Sequence, residues 1–353
     1  MHKLIKISLL VLLAIFIPIT IFNSCEKDET PVRKELVIAS YGGTYQDAQR
    51  MAFFAPFERE FDVVILDEPY SGDLASIRER VERGDVEWDV VAVDTYMVLA
   101  GEAQNLYERI DYDIVEKDEL IPEAIHDFAV GSCIWSTVLA YNTDQYNDGN
   151  PPPMNWTEFW DTGTFPGPRS LRNSPISTLE FALLADGVDK SNLYPLDVER
   201  AFESLSRIKN SVTVWWETGA QPAESLGDGE VVLTSAWNGR IFNARAEGKP
   251  VQEIWDGGLI DMDFWVIPKG SENVDLAMEF IQFASRAEQQ AELPKHIPYG
   301  PANKMASEGL SAEILANLPT SEAHIDRMIF IDSAWWLENQ EEVMEQWEIW
   351  LGE

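Results

Sequence analysis

The chain has 353 residues, of which 45% are hydrophobic and 13 are tryptophan, so wholesale disorder is excluded and two domains are expected. Its formal net charge is −35, from 26 basic and 61 acidic side chains. Such a surface repels phosphate backbones, which argues against a nucleic-acid-binding role. The acidity is typical of adaptation to a saline environment, and it also attracts cationic ligands.

The N-terminus has the pattern of an export signal. Two lysines precede residues 7–22, a run without charge that is short for a bilayer span. Cys25 follows, and the composition then turns polar. We therefore predict an export signal over 1–24, lipidation at Cys25 as a membrane anchor, and a flexible tether over 25–35. The alternative is an ordinary secreted protein; with Cys133 the only other cysteine, no disulfide framework is expected.

The segments after residue 35 alternate between predicted strands and helices. Short apolar runs predict strands at 36–40, 63–66, 88–93, 134–141, 230–235 and 264–267. Apolar residues at helical spacing predict helices at 44–54, 74–81, 156–160, 178–185, 198–208, 242–246 and 276–290. This order indicates an α/β protein built in two portions, with parallel strands flanked by helices.

The side chains near the ends of these strands are mostly aromatic or acidic. In open α/β sheets, ligands bind at the carboxyl ends of the strands. The residues there, with one loop residue added, are Tyr41, Tyr45, Asp94, Thr95, Tyr96, Trp215, Trp216, Glu217, Trp237, Asn238, Asp261, Asp263 and Tyr299. Aromatic faces attract ammonium groups, and carboxylates accept charge-assisted hydrogen bonds from them. The combination predicts a site for a small organic amine.

Two other chemistries were weighed. The stretch YGGTY at 41–45 could cradle a phosphate, but it lacks the lysine of a phosphate-binding loop, so we interpret its glycines as a sharp bend that lets a ligand approach the backbone. The four histidines are dispersed and the sequence contains no nucleophile elbow. We therefore expect that the protein binds no metal or cofactor and is not an enzyme. A catalytic set assembled only in space stays open, as does an acid–base or cation-binding role for Asp261 and Asp263.

Several stretches resemble the bacterial extracellular solute-binding proteins of ABC importers, in the spermidine/putrescine-binding branch. They are YGGTYQDA (41–48), WWETGAQP (215–222), GEV (229–231), WNGR (237–240), FWVIPKG (264–270), PYGPAN (298–303) and AWWLEN (334–339). The resemblance runs from about residue 35 to the C-terminus. It implies the two-lobed periplasmic-binding-protein type II fold, each lobe a mostly parallel sheet flanked by helices, with the ligand in the interlobe cleft.

The same resemblance implies lobes at 36–138 plus 262–306 and at 139–261 plus 307–353. It also implies a monomer in the periplasm or at the cell surface, with a membrane permease and its ATPase as partners. Tyr96, Trp237, Asp263 and Tyr299 fall where polyamine binders place aromatic walls and an amine-binding carboxylate. The other expected ligand contacts are Tyr41, Tyr45, Asp94, Ser174, Glu217, Asp261 and Trp336.

The sequence departs from the polyamine pattern at several of these positions. Asp261 stands where a tryptophan is expected and Asp94 where a serine is expected, and Asn173, Ser174 and Ser177 replace an acidic pair. Arg240 could place a positive charge near the site. The expected ligand is a polyamine such as spermidine or putrescine, captured by lobe closure without chemistry. The alternatives are an amino acid or opine-like ligand with amine and acid groups, an enzyme, or a sensor lipoprotein.

Overall fold

A computed structural model describes residues 33–147 and 149–352. Its strands are β1 (Lys34–Ser40), β2 (Val63–Pro69), β3 (Val90–Asp94), β4 (Ile125–His126), β5 (Ala129–Asn142), β6 (Arg169–Arg172), β7 (Val212–Trp216), β8 (Leu233–Trp237), β9 (Val251–Val266), β10 (Gly300–Pro301) and β11 (Ile329–Phe330). Its α-helices are α1 (Gly43–Gln49), α2 (Ala55–Phe61), α3 (Leu74–Arg83), α4 (Thr95–Ala103), α5 (Trp156–Trp160), α6 (Pro175–Ala185), α7 (Val198–Ile208), α8 (Gln221–Gly227), α9 (Asn238–Ala246), α10 (Val274–Ser285), α11 (Ala287–Glu292), α12 (Ala312–Leu315) and α13 (Ser333–Gly352).

The predictions for the N-terminus fall largely outside these ranges. The export signal and Cys25 lie outside the described residues. Lys34 and Glu35, expected in the tether, are the first two residues of β1. Within the described ranges, no helix is long and apolar enough to cross a membrane.

The strands form one mixed sheet in the order β2-β1-β3-β9-β5-β8-β6-β7, with β4, β10 and β11 beside it. β1 pairs in parallel with β2 and β3, which we call the first half-sheet. β6 pairs in parallel with β7 and β8, which we call the second half-sheet. Between them lies the antiparallel pair of long strands β5 and β9. The α/β fold with two lobes of parallel strands and flanking helices is therefore confirmed.

The long strand β5 runs from the first half-sheet to the second. Its sequence, AVGSCIWSTVLAYN, is buried at 13 of its 14 positions, which matches the near-continuous apolar pattern of a strand covered on both faces. The pairing with β9 shifts register after Gly131 and after Thr137. A Cβ on Gly131 would lie 2.5 Å from the Cβ of Ala124, so glycine is needed at that irregularity.

The buried hydrophobic residues fall into two large clusters and a small one. The first core, beside the first half-sheet, packs Trp265 edge-on against Phe280 at 5.4 Å between ring centroids. The second core stacks Trp156 on Phe181 at 3.7 Å. The third cluster contains Leu226, Ile241 and Val251 among others. Each fully buried large side chain contributes about 1.5–3 kcal/mol of transfer free energy, so each core stabilises its own half of the sheet.

The cores only roughly follow the residue ranges expected for the two lobes. Trp255, Ile260 and Met328, from segments assigned to the second lobe, belong to the first core. They lie on or beside β9, which passes from one half-sheet to the other. The lobe boundaries at single-residue precision stay a prediction.

Candidate functional site

A narrow cleft opens where strands of both half-sheets end. Its lining residues are Tyr41, Tyr45, Ser71, Gly72, Asp94, Trp135, Arg172, Glu217, Trp237, Asp263 and Tyr299. Asp94, Arg172 and Trp237 are the last residues of β3, β6 and β8. The two half-sheets thus direct their carboxyl ends at one space, as expected for a ligand site in α/β sheets.

Aromatic rings enclose much of this cleft. The ring of Trp237 is approached edge-on by Trp135, at 5.7 Å between centroids, and by Tyr41, at 6.3 Å. Tyr45 lies 5.4 Å from Tyr299 and 6.2 Å from Tyr41. Rings in such mutual contact lose little freedom when a ligand enters, and their faces suit methylene groups and ammonium groups alike.

The most buried acid of the cleft is Asp263, which is 3% exposed. It lies on β9 directly opposite Asp94 of β3, and its Oδ1 accepts a hydrogen bond of 2.8 Å from Nε1 of Trp135. Burial raises the pKa of Asp263 well above its usual range, although hydrogen bonds with Tyr45 and Trp135 oppose the shift. A ligand ammonium would supply the positive partner that this carboxylate otherwise lacks.

Two further acids lie next to it. Asp94 caps α4 by accepting from the backbone N–H of Met97 at 2.8 Å, and burial raises its pKa. Asp261 accepts from Oγ1 of Thr95 at 2.5 Å, and burial together with the charge of Asp94 raises its pKa to about 7. Because like charges so close together are costly when desolvated, this acidic group favours a cationic ligand or bound protons.

The cation that faces these acids is Arg172, which the sequence reasoning missed. Its guanidinium carbon lies 5.8 Å from the ring centroids of both Trp216 and Trp237. Burial lowers its pKa, and the charge of Asp94 partly restores it. Across the described part of the chain, Arg172 forms no salt bridge. A guanidinium held between aromatic rings, with no salt bridge among the described residues, is suited to bind a ligand carboxylate.

Of the other expected contacts, Tyr41, Tyr45, Glu217, Trp237 and Tyr299 lie in the cleft lining. Both candidate tyrosines are therefore present. Tyr45 is only 2% exposed, and its hydroxyl lies 3.2 Å from Sγ of the buried Cys133. Glu217 accepts a hydrogen bond of 3.1 Å from Nδ2 of Asn173 at the exposed rim.

Three expected contacts lie near the cleft but outside its lining. Tyr96 is in the first turn of α4, Ser174 precedes α6, and Asp261 is turned toward Thr95. All three are half-buried. They belong to the surroundings of the site, so any effect they have on a ligand would pass through the lining residues.

One expectation is wrong. Trp336 is fully buried in the second core, and its Nε1 donates to Oε1 of Glu180 at 2.8 Å, so it lies away from the cleft. Arg240 lies beside the cleft, as expected: burial raises the pKa of the lining residue Tyr299, and the charge of Arg240 partly opposes that shift. It is not a lining residue, because its guanidinium donates to Oγ1 of Thr44 and to the carbonyl oxygen of Gly42.

The structure also adds lining residues that sequence reasoning missed. Besides Arg172 they are Ser71, Gly72 and Trp135. Gly72 has φ +76, and a Cβ there would lie 2.5 Å from the ring of Tyr41. Ser71 and Gly72 lie just after strand β2, and this position in the sequence could have identified them as residues at a strand end. Trp135 lies inside the long strand β5, where no sequence pattern indicates a cleft residue.

Comparison with known proteins agrees with this geometry. Residues 52–320 match the family model described as bacterial extracellular solute-binding protein. The chain is 36% identical over 325 residues to the gamma-aminobutyric acid-binding protein of Pseudomonas aeruginosa, covering 90% of this chain and 91% of that protein. It is 24% identical over 269 residues to the spermidine/putrescine-binding periplasmic protein of Salmonella typhimurium, covering 73% and 76%.

Solved structures show the same likeness. AgtB from A. tumefaciens R10 in complex with agropinic acid superposes with a TM-score of 0.85 at 33% identity, covering 91% of this chain and 100% of that chain. An ABC transporter substrate-binding protein from Bradyrhizobium japonicum USDA 110 gives 0.85 at 36% identity, covering 90% and 100%. AttC from Agrobacterium tumefaciens C58, open and unliganded, gives 0.65 at 30% identity, covering 90% and 100%. The chain thus superposes better on the liganded structure than on the open one.

Proposed function

Since this chain belongs to the bacterial extracellular solute-binding protein family and is a solute-binding protein of an ABC transporter, we propose that its cleft captures a small solute carrying both an ammonium and a carboxylate group. A γ-amino acid or an opine-like molecule has this chemistry. The observation that carries the proposal is Arg172, a cleft cation without a salt-bridge partner among the described residues, which shares the cleft with Asp94 and Asp263.

The charges of the cleft favour such a ligand over the polyamine that the sequence resemblance led us to expect. A polyamine carries ammonium groups only, so the end nearest Arg172 would meet a like charge in a desolvated space. A ligand carboxylate would instead form charge-assisted hydrogen bonds with the guanidinium, each contributing about 1.5–3 kcal/mol.

The names of the relatives support this choice. The P. aeruginosa relative is named for gamma-aminobutyric acid, which has an amine at one end and a carboxyl group at the other. The similarity to that relative covers more of the chain at higher identity than the similarity to the spermidine/putrescine-binding protein.

In the mechanism that we propose, binding requires no bond breaking. Asp263 and Asp94 accept hydrogen bonds from the ligand ammonium, and Trp237 and Tyr41 hold its methylene groups. Arg172 binds the carboxylate from the second half-sheet. Because the ligand then has partners on both half-sheets, it binds the closed form better than the open form and shifts the protein toward closure.

Calorimetric titration of the protein freed of its export signal would test the ligand class. Gamma-aminobutyric acid and putrescine have the same four-carbon spacing and differ in one end group, so they form a matched pair. We expect the amino acid to bind at least about a hundredfold more tightly, since one charge-assisted contact is replaced by a repulsion. Arg172→Met should remove this preference, and Arg172→Lys should retain part of it.

Tighter binding of putrescine to the unmodified protein, unchanged by Arg172→Met, would instead establish the polyamine ligand. Glu217 at the rim would then become the candidate partner for its second ammonium group. A chemical change in either compound during the titration, followed by NMR, would point to the enzyme alternative.

We also propose that the protein is exported through a signal over 1–24, is anchored by a lipid on Cys25 and delivers its ligand as a monomer to a permease and its ATPase. The lysine-flanked apolar run followed by cysteine supports the anchor. Metabolic labelling with a fatty-acid analogue tests it. Label and membrane association should disappear in Cys25→Ser, whereas an unlabelled native protein in the soluble fraction would rule the anchor out.

A further inference from the structure

A second arginine beside the cleft, Arg240, makes contacts of another kind. It lies in the first turn of α9 and is only 5% exposed. Its Nη1 donates to Oγ1 of Thr44 at 2.9 Å, and its Nη2 donates to the carbonyl oxygen of Gly42 at 3.0 Å. These acceptors precede Arg240 by about 200 positions in the chain, so the contact exists only through the tertiary structure.

The two hydrogen bonds connect the two halves of the molecule. Thr44 lies in α1, whose next residue, Tyr45, packs in the first core. Arg240 is followed by Ile241, which packs in the third cluster with Leu226. The guanidinium therefore reaches across the seam beside the cleft, from α9 on one side to the start of α1 on the other.

The backbone around this guanidinium leaves room for it. Gly43 has φ +56, and a Cβ there would lie 2.8 Å from Nη1 of Arg240. A Cβ on Gly219 would lie 3.3 Å from Nε. Any larger residue at position 43 would push the guanidinium away from Thr44 as well as straining the backbone. The glycine pair that follows β1 thus seats a side chain from the opposite half.

The guanidinium of Arg240 donates its hydrogen bonds to neutral acceptors, whereas a surface arginine commonly pairs with a carboxylate or with water. Among the residues that the structure describes, it has no carboxylate partner, and its Nε is buried without a hydrogen-bond acceptor. Its partners are a hydroxyl and a carbonyl oxygen, and both lie on the far side of the seam. When the halves separate, both bonds must break and water must replace them.

We propose that Arg240 is a closure clasp, which stabilises the closed form over the open form and so sets the affinity for a ligand without touching it. The proposal rests on ligand capture by closure and is independent of which ligand is captured. Arg240 is a positioning residue: the same turn carries Trp237, which forms a wall of the cleft, so engagement of the clasp places that wall.

The first test compares two ligands in the same variants. Arg240→Met should weaken the binding of gamma-aminobutyric acid and of putrescine by the same factor, about tenfold or more, because both depend on closure. Thr44→Val keeps the shape of the side chain and removes one acceptor, so it should give a smaller loss of about fivefold. Arg240→Lys, which can reach one acceptor, should recover part of the affinity.

The second test measures closure itself. In a protein that carries Cys25→Ser, spin labels at Arg59→Cys in α2 and Glu203→Cys in α7 report the distance between the halves, since both positions are exposed and Cys133 is fully buried. With ligand at saturation for the unmodified protein, the short-distance fraction should fall in the Arg240→Met background. Its melting temperature without ligand should stay close to that of the parent protein.

Equal closure and equal affinity in Arg240→Met would overturn the clasp. So would a loss confined to gamma-aminobutyric acid, because Arg240 would then be binding the ligand carboxylate directly. If Arg240→Met fails to fold, the Thr44→Val variant is tested by the same criteria. The ratio of the affinities for gamma-aminobutyric acid and putrescine tests the proposed ligand class. The factor by which a variant weakens both affinities tests the clasp, so either proposal can fail without affecting the test of the other.

Discussion

The two sides of the cleft present different chemistry to a ligand. The first half-sheet and β9 supply acids, Asp94 and Asp263, whose pKa values burial raises. The second side supplies Arg172, whose pKa burial lowers, and the acid Glu217 at the exposed rim. Among the lining residues, the positive charge therefore lies on the second side alone. In the function that we propose, the acids of the first side bind the amine and Arg172 binds the second end group.

The largest expected effect comes from abolishing this contrast. Arg172→Glu makes both sides acidic, so a carboxylate ligand loses its partner and gains a repulsion. We expect gamma-aminobutyric acid to bind more than about a thousandfold more weakly and putrescine about tenfold more tightly, since a like-charge contact costs several kcal/mol. Calorimetry with both ligands measures the reversal. Parallel losses for the two ligands would show that Arg172 acts on the fold and not on selectivity.

The next effect concerns the acidic side alone. Asp263→Asn keeps an oxygen for Nε1 of Trp135 and removes the negative charge, so both ligands should bind about a hundredfold more weakly. Asp127→Asn at an exposed salt bridge with Arg109 is the matched control and should change neither affinity. Unaltered binding to Asp263→Asn would place the ammonium elsewhere.

The raised pKa values predict a dependence of binding on pH. Asp261 lies outside the cleft lining but interacts electrostatically with Asp94, and it takes up a proton as the pH falls through about 7. That proton removes a negative charge beside Asp94, which we propose to bind the ammonium group. Affinity should therefore fall by about thirtyfold between pH 8 and pH 5.5 for one linked proton. Binding near pH 7 should release protons, which calorimetry in buffers of different ionisation enthalpy detects. Asp261→Asn should flatten the profile.

The raised pKa of Asp261 also makes the stability of the protein depend on pH. Because the folded pKa of Asp261 lies above its usual value of 3.8, its contribution to stability is fully present below that value and is lost as the pH rises through about 7. Because the affinity should be higher at pH 8, the rise in melting temperature caused by ligand should be larger at pH 8 than at pH 5.5. A larger rise at pH 5.5 would contradict ammonium binding by these acids.

The smallest effect on binding is expected in the second core. Trp336→Phe removes the indole N–H that Oε1 of the buried Glu180 accepts, leaving the hydroxyl of Tyr194 as the remaining donor to that oxygen. We expect the free energy of unfolding to fall by about 1–3 kcal/mol with no change in affinity. Denaturant unfolding and calorimetry on the same variant measure both quantities. A weaker ligand affinity in Trp336→Phe would contradict this prediction and would indicate that Trp336 contributes to the ligand site.

The local sequence pattern did not predict the full extent of the strands. The segment 264–267 was predicted as a four-residue strand, whereas β9 covers Val251–Val266. Its Gly257-Gly258 pair and its acids predict a loop when taken alone. They are held in a strand because β5 pairs along almost all of it, through two register shifts. Neither β6 nor β7 was predicted, so Arg172 could not be recognised as a residue at a strand end.

What the sequence determined by itself was the class of fold and the chemical character of the cleft. Periodicity and turn residues act locally, so helix α7 was predicted at Val198–Ile208 with the bounds it has. The aromatic and acidic residues at strand ends followed from the same local patterns. Only the tertiary structure decided which of two arginines lines the cleft. The partners of Arg240 lie about 200 residues away in sequence, and its orientation depends on the space that Gly43 leaves.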